Sequence, residues 1–133
     1  MHMFDDHTAE VRLRLEAPTL SALYTEAVAA IAELMAIDPH EPTDGLASPI
    51  ELRAADAGAL LVELINEIVF LSETQRRVFP KATFAAVSET ALAGSVEGFA
   101  ASALRTAVKA ATFHDLLVER TPAGWRARVV LDV

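Results

Sequence analysis

The organisation of this chain follows from one stretch, Trp125-Arg126-Ala127-Arg128-Val129-Val130-Leu131-Asp132-Val133. Every second residue from Trp125 onward is apolar, and the residues between them are charged apart from Val130. Because successive side chains of a strand point to opposite faces, this alternation predicts a strand with one buried and one solvated face. Asp132 would then stand at the strand end beside the carboxylate of Val133. Two anionic groups this close need a cation, hydrogen-bond donors or water.

Length and composition predict one globular domain over residues 1–133. The chain has 133 residues, 53% apolar and 23% charged, enough to bury about two-thirds of its unfolded surface. The sequence contains no long uncharged apolar run and no signal-peptide pattern, so we expect a cytoplasmic protein without a membrane span. The absence of cysteine excludes disulfides, thiolate metal sites and cysteine nucleophiles.

The acidic charge balance argues against direct nucleic-acid binding. A net charge of -8 repels phosphate backbones, so RNA or DNA would need a local basic patch. The arginines at 12, 14, 126 and 128 could form such a patch. They could equally lie scattered over solvated strand faces, and we expect this second arrangement.

Two amphipathic helices are predicted from apolar residues at three-and-four spacing. The first helix is capped by Thr19 or Ser21 and ends before Asp38-Pro39, because the residue preceding proline is pushed out of the helical region. The second helix runs from a cap at Asp56 to about residue 73.

The other apolar runs predict strands, although residues 91–94 and 99–104 could equally be helical by propensity. A hairpin turn is expected at residues 121–124. The order of elements predicts an α+β domain, a two-layer sandwich with both amphipathic helices packed on one face of a mixed β-sheet. The predicted strands cover residues 11–16, 50–54, 78–87, 92–99, 108–113, 116–120 and 125–133. The first of them alternates like the last, with Val11, Leu13 and Leu15 facing inward. Residues 4–10 form a polar cluster that leads into this first strand.

Four blocks of the sequence carry a resemblance to a known family. Asp6-His7-Thr8-Ala9-Glu10 resembles the Asp-His-Thr-Ala-Asp opening of the archease family. Residues 60–71 resemble its second helix, Val108 to His114 its Val-Lys-Ala-Ile-Thr-Tyr-His segment, and Trp125 to Val133 its terminal strand. The blocks occur in the same order and span nearly the whole chain.

This resemblance implies a non-enzymatic partner protein of an RtcB-type RNA ligase, a GTP-dependent enzyme. Archeases promote guanylylation and multiple turnover of that ligase in tRNA splicing or RNA repair. The resemblance also implies a divalent metal, calcium or alternatively magnesium or manganese, held by Glu10, Asp132 and Val133. Glu10 departs from the family's aspartate. Its extra methylene moves the carboxylate by about 1.5 Å, which hard cations with flexible oxygen shells tolerate.

Several alternatives stay open at the level of sequence. Glu10 and Asp132 could be ordinary solvated carboxylates. Asp6, His7 and His114 could complete the site, the histidines as ligands or as an acid–base pair. Alternatively, Asp6 and Thr8 make local turn hydrogen bonds to the backbone, and the two histidines serve as packing or hydrogen-bonding residues.

Two other functions compete with ligase activation. One is a metal-dependent hydrolase using Glu10, Asp6, His7 and Asp132. The other is a general chaperone-like module that binds partly folded clients through exposed apolar surface.

Overall fold

Seven strands and two helices make up the fold, which we describe from a computed structural model. The structure describes residues 1–7 and 9–133, without the side chains of Asp6 and His7. In chain order the elements are β1 (His2–His7), β2 (Glu10–Ala17), α1 (Leu20–Met35), β3 (Ala47–Arg53), α2 (Ala57–Gln75), β4 (Arg77–Val87), β5 (Ala91–Ala100), β6 (Ala110–Thr121) and β7 (Gly124–Asp132).

Both helices begin at the side chains that the sequence indicated as caps. The Thr19 hydroxyl oxygen accepts a hydrogen bond from the Ala22 N–H at 3.1 Å at the start of α1. The Asp56 carboxylate accepts one from the Ala59 N–H at 2.8 Å at the start of α2. Each bond satisfies a backbone donor that has no partner inside its helix. The two predicted helices are therefore confirmed.

The α+β class is confirmed, but the strands divide between two sheets, whereas the sequence predicted a single mixed sheet. The strands of the described chain form two sheets, with the orders β1-β2-β7-β6 and β3-β5-β4. All of their pairings are antiparallel. Helix α1 contacts β2 and β4, and α2 contacts β6 and β4, so each helix covers both sheets. Alternation along a strand shows which face is buried but not which strand lies beside it.

The opening polar cluster contains a strand that the sequence reading missed. Residues His2 to His7 form β1, which pairs with β2 from His2 opposite Leu15 to His7 opposite Glu10. As an edge strand, β1 needs little apolar character because half of its surface faces solvent. The segment predicted as a polar lead-in to β2 is therefore one arm of a β-hairpin.

Near the end of the chain one further prediction is corrected, and one open alternative is decided in favour of the predicted strand. The separate strands predicted at 108–113 and 116–120 are one strand, β6, interrupted by an irregularity between Thr112 and Leu117. Asp115 within that bulge has a left-handed backbone with φ of 53°. The segment whose type was ambiguous, residues 91–94, belongs to strand β5, and no helix forms at 99–104. Small residues there favour a helix locally, but pairing with β3 and β4 decides the outcome.

The core lies between the helices and the inner faces of the sheets. Val11, Leu13 and Leu15 of β2 are buried, and so are alternate residues of β7. This confirms the predicted alternation of both strands. Val130 is also buried, although it belongs to the opposite face of β7. The rest of the core cluster includes Leu23, Tyr24, Ile31, Leu60, Leu64, Ile68, Phe79 and Val96.

Candidate functional site where β2 begins and β7 ends

Two carboxylates meet at one end of the four-stranded sheet. Glu10, the first residue of β2, is the direct antiparallel partner of Asp132, the last residue of β7. Side chains at directly opposite positions lie on the same face with Cβ atoms about 4.5 to 5.5 Å apart. Both residues are half-buried. The strands that carry these two residues are therefore neighbours in the sheet.

Main-chain hydrogen bonds hold this end of β7 from both sides. The Val133 N–H donates to the Ala9 carbonyl at 3.2 Å, and the Lys109 N–H donates to the Asp132 carbonyl at 2.8 Å. Ala9 itself has a left-handed backbone with φ of 62°. The backbone at Asp132 and Val133 is thus fixed between the β1–β2 hairpin and the segment that leads into β6.

The two carboxylates lack a described counter-ion. Within residues 1–5 and 9–133, neither the Glu10 nor the Asp132 side chain makes a hydrogen bond or an ion pair. Like charges directly opposite each other destabilise a sheet unless a cation or hydrogen-bond donors compensate them. The oxygen-only donor set matches the preference of hard divalent cations.

The described side chains alone do not complete a metal centre. Among them, no group of three or more histidine, cysteine, aspartate or glutamate residues could hold an ion. The Asp6 and His7 side chains, and Thr8 as a whole, lie outside the described residues, so their expected roles as ligands or turn residues stay predictions. In backbone register, His7 is the partner of Glu10 on the side away from Asp132.

His114 does not contact this carboxylate pair. It lies in the β6 bulge, with its side chain 70% exposed and its Nε2 atom 3.4 Å from an Asp115 carboxylate oxygen. Asp115 in turn accepts a hydrogen bond from Arg12 at 3.2 Å. The charged neighbour of His114 is therefore Asp115, and a role for His114 must be sought in that bulge.

A cleft of about 390 Å³ adjoins the carboxylate pair. Glu10 and Val133 belong to its wall, together with Phe4, Val11, Glu33, Leu34, Arg105 and Thr106. The sequence reading missed Arg105 because it belongs to an irregular segment with no periodic pattern. A hydrogen bond from the Arg105 N–H to the Met35 carbonyl, 2.8 Å long, connects that segment to the end of α1.

Comparison with known proteins identifies the family. The model of the archease protein family matches residues 3–133. The chain belongs to the archease family. The archease of Methanosarcina acetivorans is 27% identical, with 96% of this chain and 92% of that protein covered. The archease of Methanopyrus kandleri is 29% identical, with 96% of each chain covered. The family predicted from the four sequence blocks is therefore confirmed.

Solved structures share the archease fold. The solution structure of Methanobacterium thermoautotrophicum protein 1598 matches with a TM-score of 0.73 at 20% identity, covering 99% of this chain and 98% of the other. The crystal structure of a Thermotoga maritima archease, described as a possible chaperone, matches with a TM-score of 0.67 at 18% identity, covering 100% and 98%. In the described part of this archease, no helix is long and apolar enough to cross a membrane.

Proposed function

We propose that this archease is a non-enzymatic activator of an RtcB-type, GTP-dependent RNA ligase. It promotes guanylylation of the ligase and allows multiple turnover in tRNA splicing or RNA repair. Family membership supports this role. The observation that carries it is the pair Glu10 and Asp132, two directly opposed carboxylates without a described counter-ion. An RNA ligase must itself offer cationic groups to bind RNA and GTP. The negatively charged carboxylate pair is therefore a suitable contact for such an enzyme.

In this proposal the same carboxylate pair binds a divalent cation, calcium or alternatively magnesium or manganese. Glu10 and Asp132 contribute side-chain oxygens, and Val133 contributes its terminal carboxylate. The main-chain bonds at Ala9 and Lys109 support the assignment because they hold Asp132 and Val133 in place before any ion arrives. When bound, the cation would neutralise the negative charge of the two opposed carboxylates.

The test is the guanylylation of a purified RtcB-type ligase with radiolabelled GTP. With this archease at substoichiometric levels, we expect faster formation of ligase–GMP and more than one ligated RNA per ligase. Asp132→Asn should lose this effect. Glu63→Gln, which removes one charge from an exposed position of α2, should keep it. A ligase that is guanylylated equally fast with and without the wild-type protein would contradict the proposal.

A chaperone-like module is the second candidate. It is favoured by the description of the Thermotoga maritima archease as a possible chaperone and by large apolar side chains on the surface of this chain. Ile37 is 67% exposed, Leu46 66% and Phe70 57%. If this function holds, stoichiometric protein suppresses the aggregation of unrelated clients, and Phe70→Ser weakens the suppression while Asp132→Asn does not.

A further inference from the structure

The outer face of the four-stranded sheet contains a pair of directly opposed arginines. Arg14 of β2 is the antiparallel partner of Arg128 of β7. The outer cross-strand partners of this pair are apolar: Met3 of β1 lies opposite Arg14, and Leu117 of β6 lies opposite Arg128. Two like charges directly opposite each other cost stability. A local conflict of this kind is expected where a surface is used for binding.

The pair belongs to a larger arginine patch. Arg12 and Arg126 lie two residues along the same strands and therefore on the same face. A cleft of about 380 Å³ adjoins these residues, and its wall includes one carboxylate, Glu16, besides Met3, Arg14, Leu117, Arg126 and Arg128. The patch thus assembles all four arginines that the sequence singled out, in a chain whose net charge is -8.

The acidic neighbours of the patch leave Arg128 at its centre without a carboxylate. Three of the four arginines have a carboxylate partner. Arg12 pairs with Asp115, Arg14 lies 2.9 Å from an Asp5 oxygen, and Arg126 pairs with Glu119. Arg128 donates from Nε to the Asp115 backbone carbonyl at 3.0 Å. Among the side chains that the structure describes, no carboxylate oxygen lies within ion-pair distance of Arg128. Its terminal guanidinium nitrogens are therefore available to an anion from outside.

The β6 bulge adds two exposed rings beside the patch. Asp115 connects the bulge to the arginine patch, because its carboxylate accepts a hydrogen bond from Arg12 and its backbone carbonyl accepts one from Arg128. The preceding residues, Phe113 and His114, are 63% and 70% exposed. Bulges commonly re-aim side chains near functional sites, and the left-handed backbone of Asp115 is a conformation that few non-glycine residues adopt.

We infer that this face binds single-stranded RNA, with one backbone phosphate at Arg128, a second that replaces Asp5 at Arg14, and a base against Phe113 or His114. A cationic groove combined with exposed rings is the general arrangement of proteins that bind single strands. An acidic peptide would use the arginines but not the rings, so the observations favour RNA. This inference departs from the expectation drawn from net charge because the basic patch is local. It goes beyond ligase activation and requires neither the ligase nor the metal.

The experiment measures binding of the isolated protein to a fluorescein-labelled oligouridylate of about ten nucleotides by anisotropy. The test variant is Arg14→Gln with Arg128→Gln. The control is Arg53→Gln with Arg76→Gln, two exposed arginines on β3 and at the end of α2. Both double variants change the net charge equally, so only the position of the lost charge differs. Circular dichroism verifies that each variant is folded.

We expect weak, salt-dependent binding by the wild type, with a slope of log K against log salt of about -1.4 for two phosphate contacts. The test variant should bind about tenfold or more weakly with a flatter slope, while the control stays within about twofold of wild type. Phe113→Ala should weaken binding by about fivefold or more through lost stacking.

Three results would overturn the inference: no salt-dependent binding by the wild type, equal losses in both double variants, or equally effective competition by polyglutamate. The last result would assign the patch to an acidic protein partner. Because the assay contains no ligase, its failure leaves ligase activation intact, and a failure of activation leaves this inference intact.

Discussion

Glu10 and Asp132 are direct cross-strand partners whose carboxylates lie on the same face of the sheet. In the absence of a cation their repulsion should lower the stability of the fold. With a cation between them the same pair should stabilise it. The pair's contribution to the free energy of unfolding should thus change sign when a cation binds. Two ordinary surface carboxylates would not show this change.

Asp132→Asn should therefore have opposite effects in the two conditions. In chelator we expect a small gain in the free energy of unfolding, about 0.2 to 1 kcal/mol. Added calcium should raise the melting temperature of the wild type, since a ligand bound only to the native state stabilises it, but not that of Asp132→Asn or Glu10→Gln. Glu63→Gln is the control that should still respond. Differential scanning fluorimetry with calcium, magnesium and manganese checks this, and an equal response of all variants would exclude the site.

Residues appended after Val133 should abolish ligase activation while leaving the fold intact. An extension converts the proposed terminal carboxylate into a peptide carbonyl, which is a weaker ligand for a hard cation. The comparison is between proteins tagged at either end, each assayed for ligase guanylylation and for its circular dichroism spectrum. Full activation by the extended protein would remove Val133 from the proposed site.

Leu64→Ala should destabilise the fold by about 2 to 5 kcal/mol through lost burial and a residual cavity. Leu64 of α2 is 0% exposed, whereas Glu63 beside it is exposed, so Glu63→Ala should have almost no effect. Urea denaturation measures both. Activation per folded molecule should stay constant in Leu64→Ala, and a specific loss of activity at full folding would contradict a purely structural role.

Gly98→Ala should destabilise the three-stranded sheet. A Cβ atom at this position would lie 1.8 Å from the Val78 carbonyl oxygen and 2.9 Å from the Phe79 Cα. Relieving the overlap requires a backbone shift, and we expect a cost of about 1 to 3 kcal/mol or more. Gly45→Ala serves as a comparison because a Cβ there meets nothing within 4 Å and only its φ of 78° opposes the change. Thermal denaturation should rank Gly98→Ala as the more damaging of the two.

The Asp44–Arg77 pair should make stability depend on acidic pH. A two-pronged hydrogen bond from the Arg77 guanidinium, with distances of 2.6 and 2.8 Å, and one from the Leu46 N–H lower the pKa of Asp44 to about 2. Because the native pKa lies below that of the unfolded chain, the contribution is present above about pH 4 and is lost as the pH falls toward 2. As the pH is lowered from 5 to 2, the urea midpoint of Asp44→Asn should fall less steeply than that of the wild type. Identical slopes would mean that the pair is broken in solution.

The helices and most strands could be predicted because their signals are local. Thr19 and Asp56 cap helices by bonding backbone groups three residues away, and the alternation of residues 125–133 needs no knowledge of the partner strand. The missed strand β1 is different, because its polar residues show no clear alternation and only pairing with β2 makes it a strand.

The sequence by itself determined the family, through four blocks that resemble its members. It also determined the α+β class and which faces of β2 and β7 are buried, since periodicity and capping act within a few residues of the chain. Only the tertiary structure decided that the strands divide between two sheets, that Glu10 stands opposite Asp132, and that Arg14 stands opposite Arg128. These pairings join residues more than a hundred positions apart. Their register is set by the joint burial of two apolar faces, and no local pattern encodes that choice.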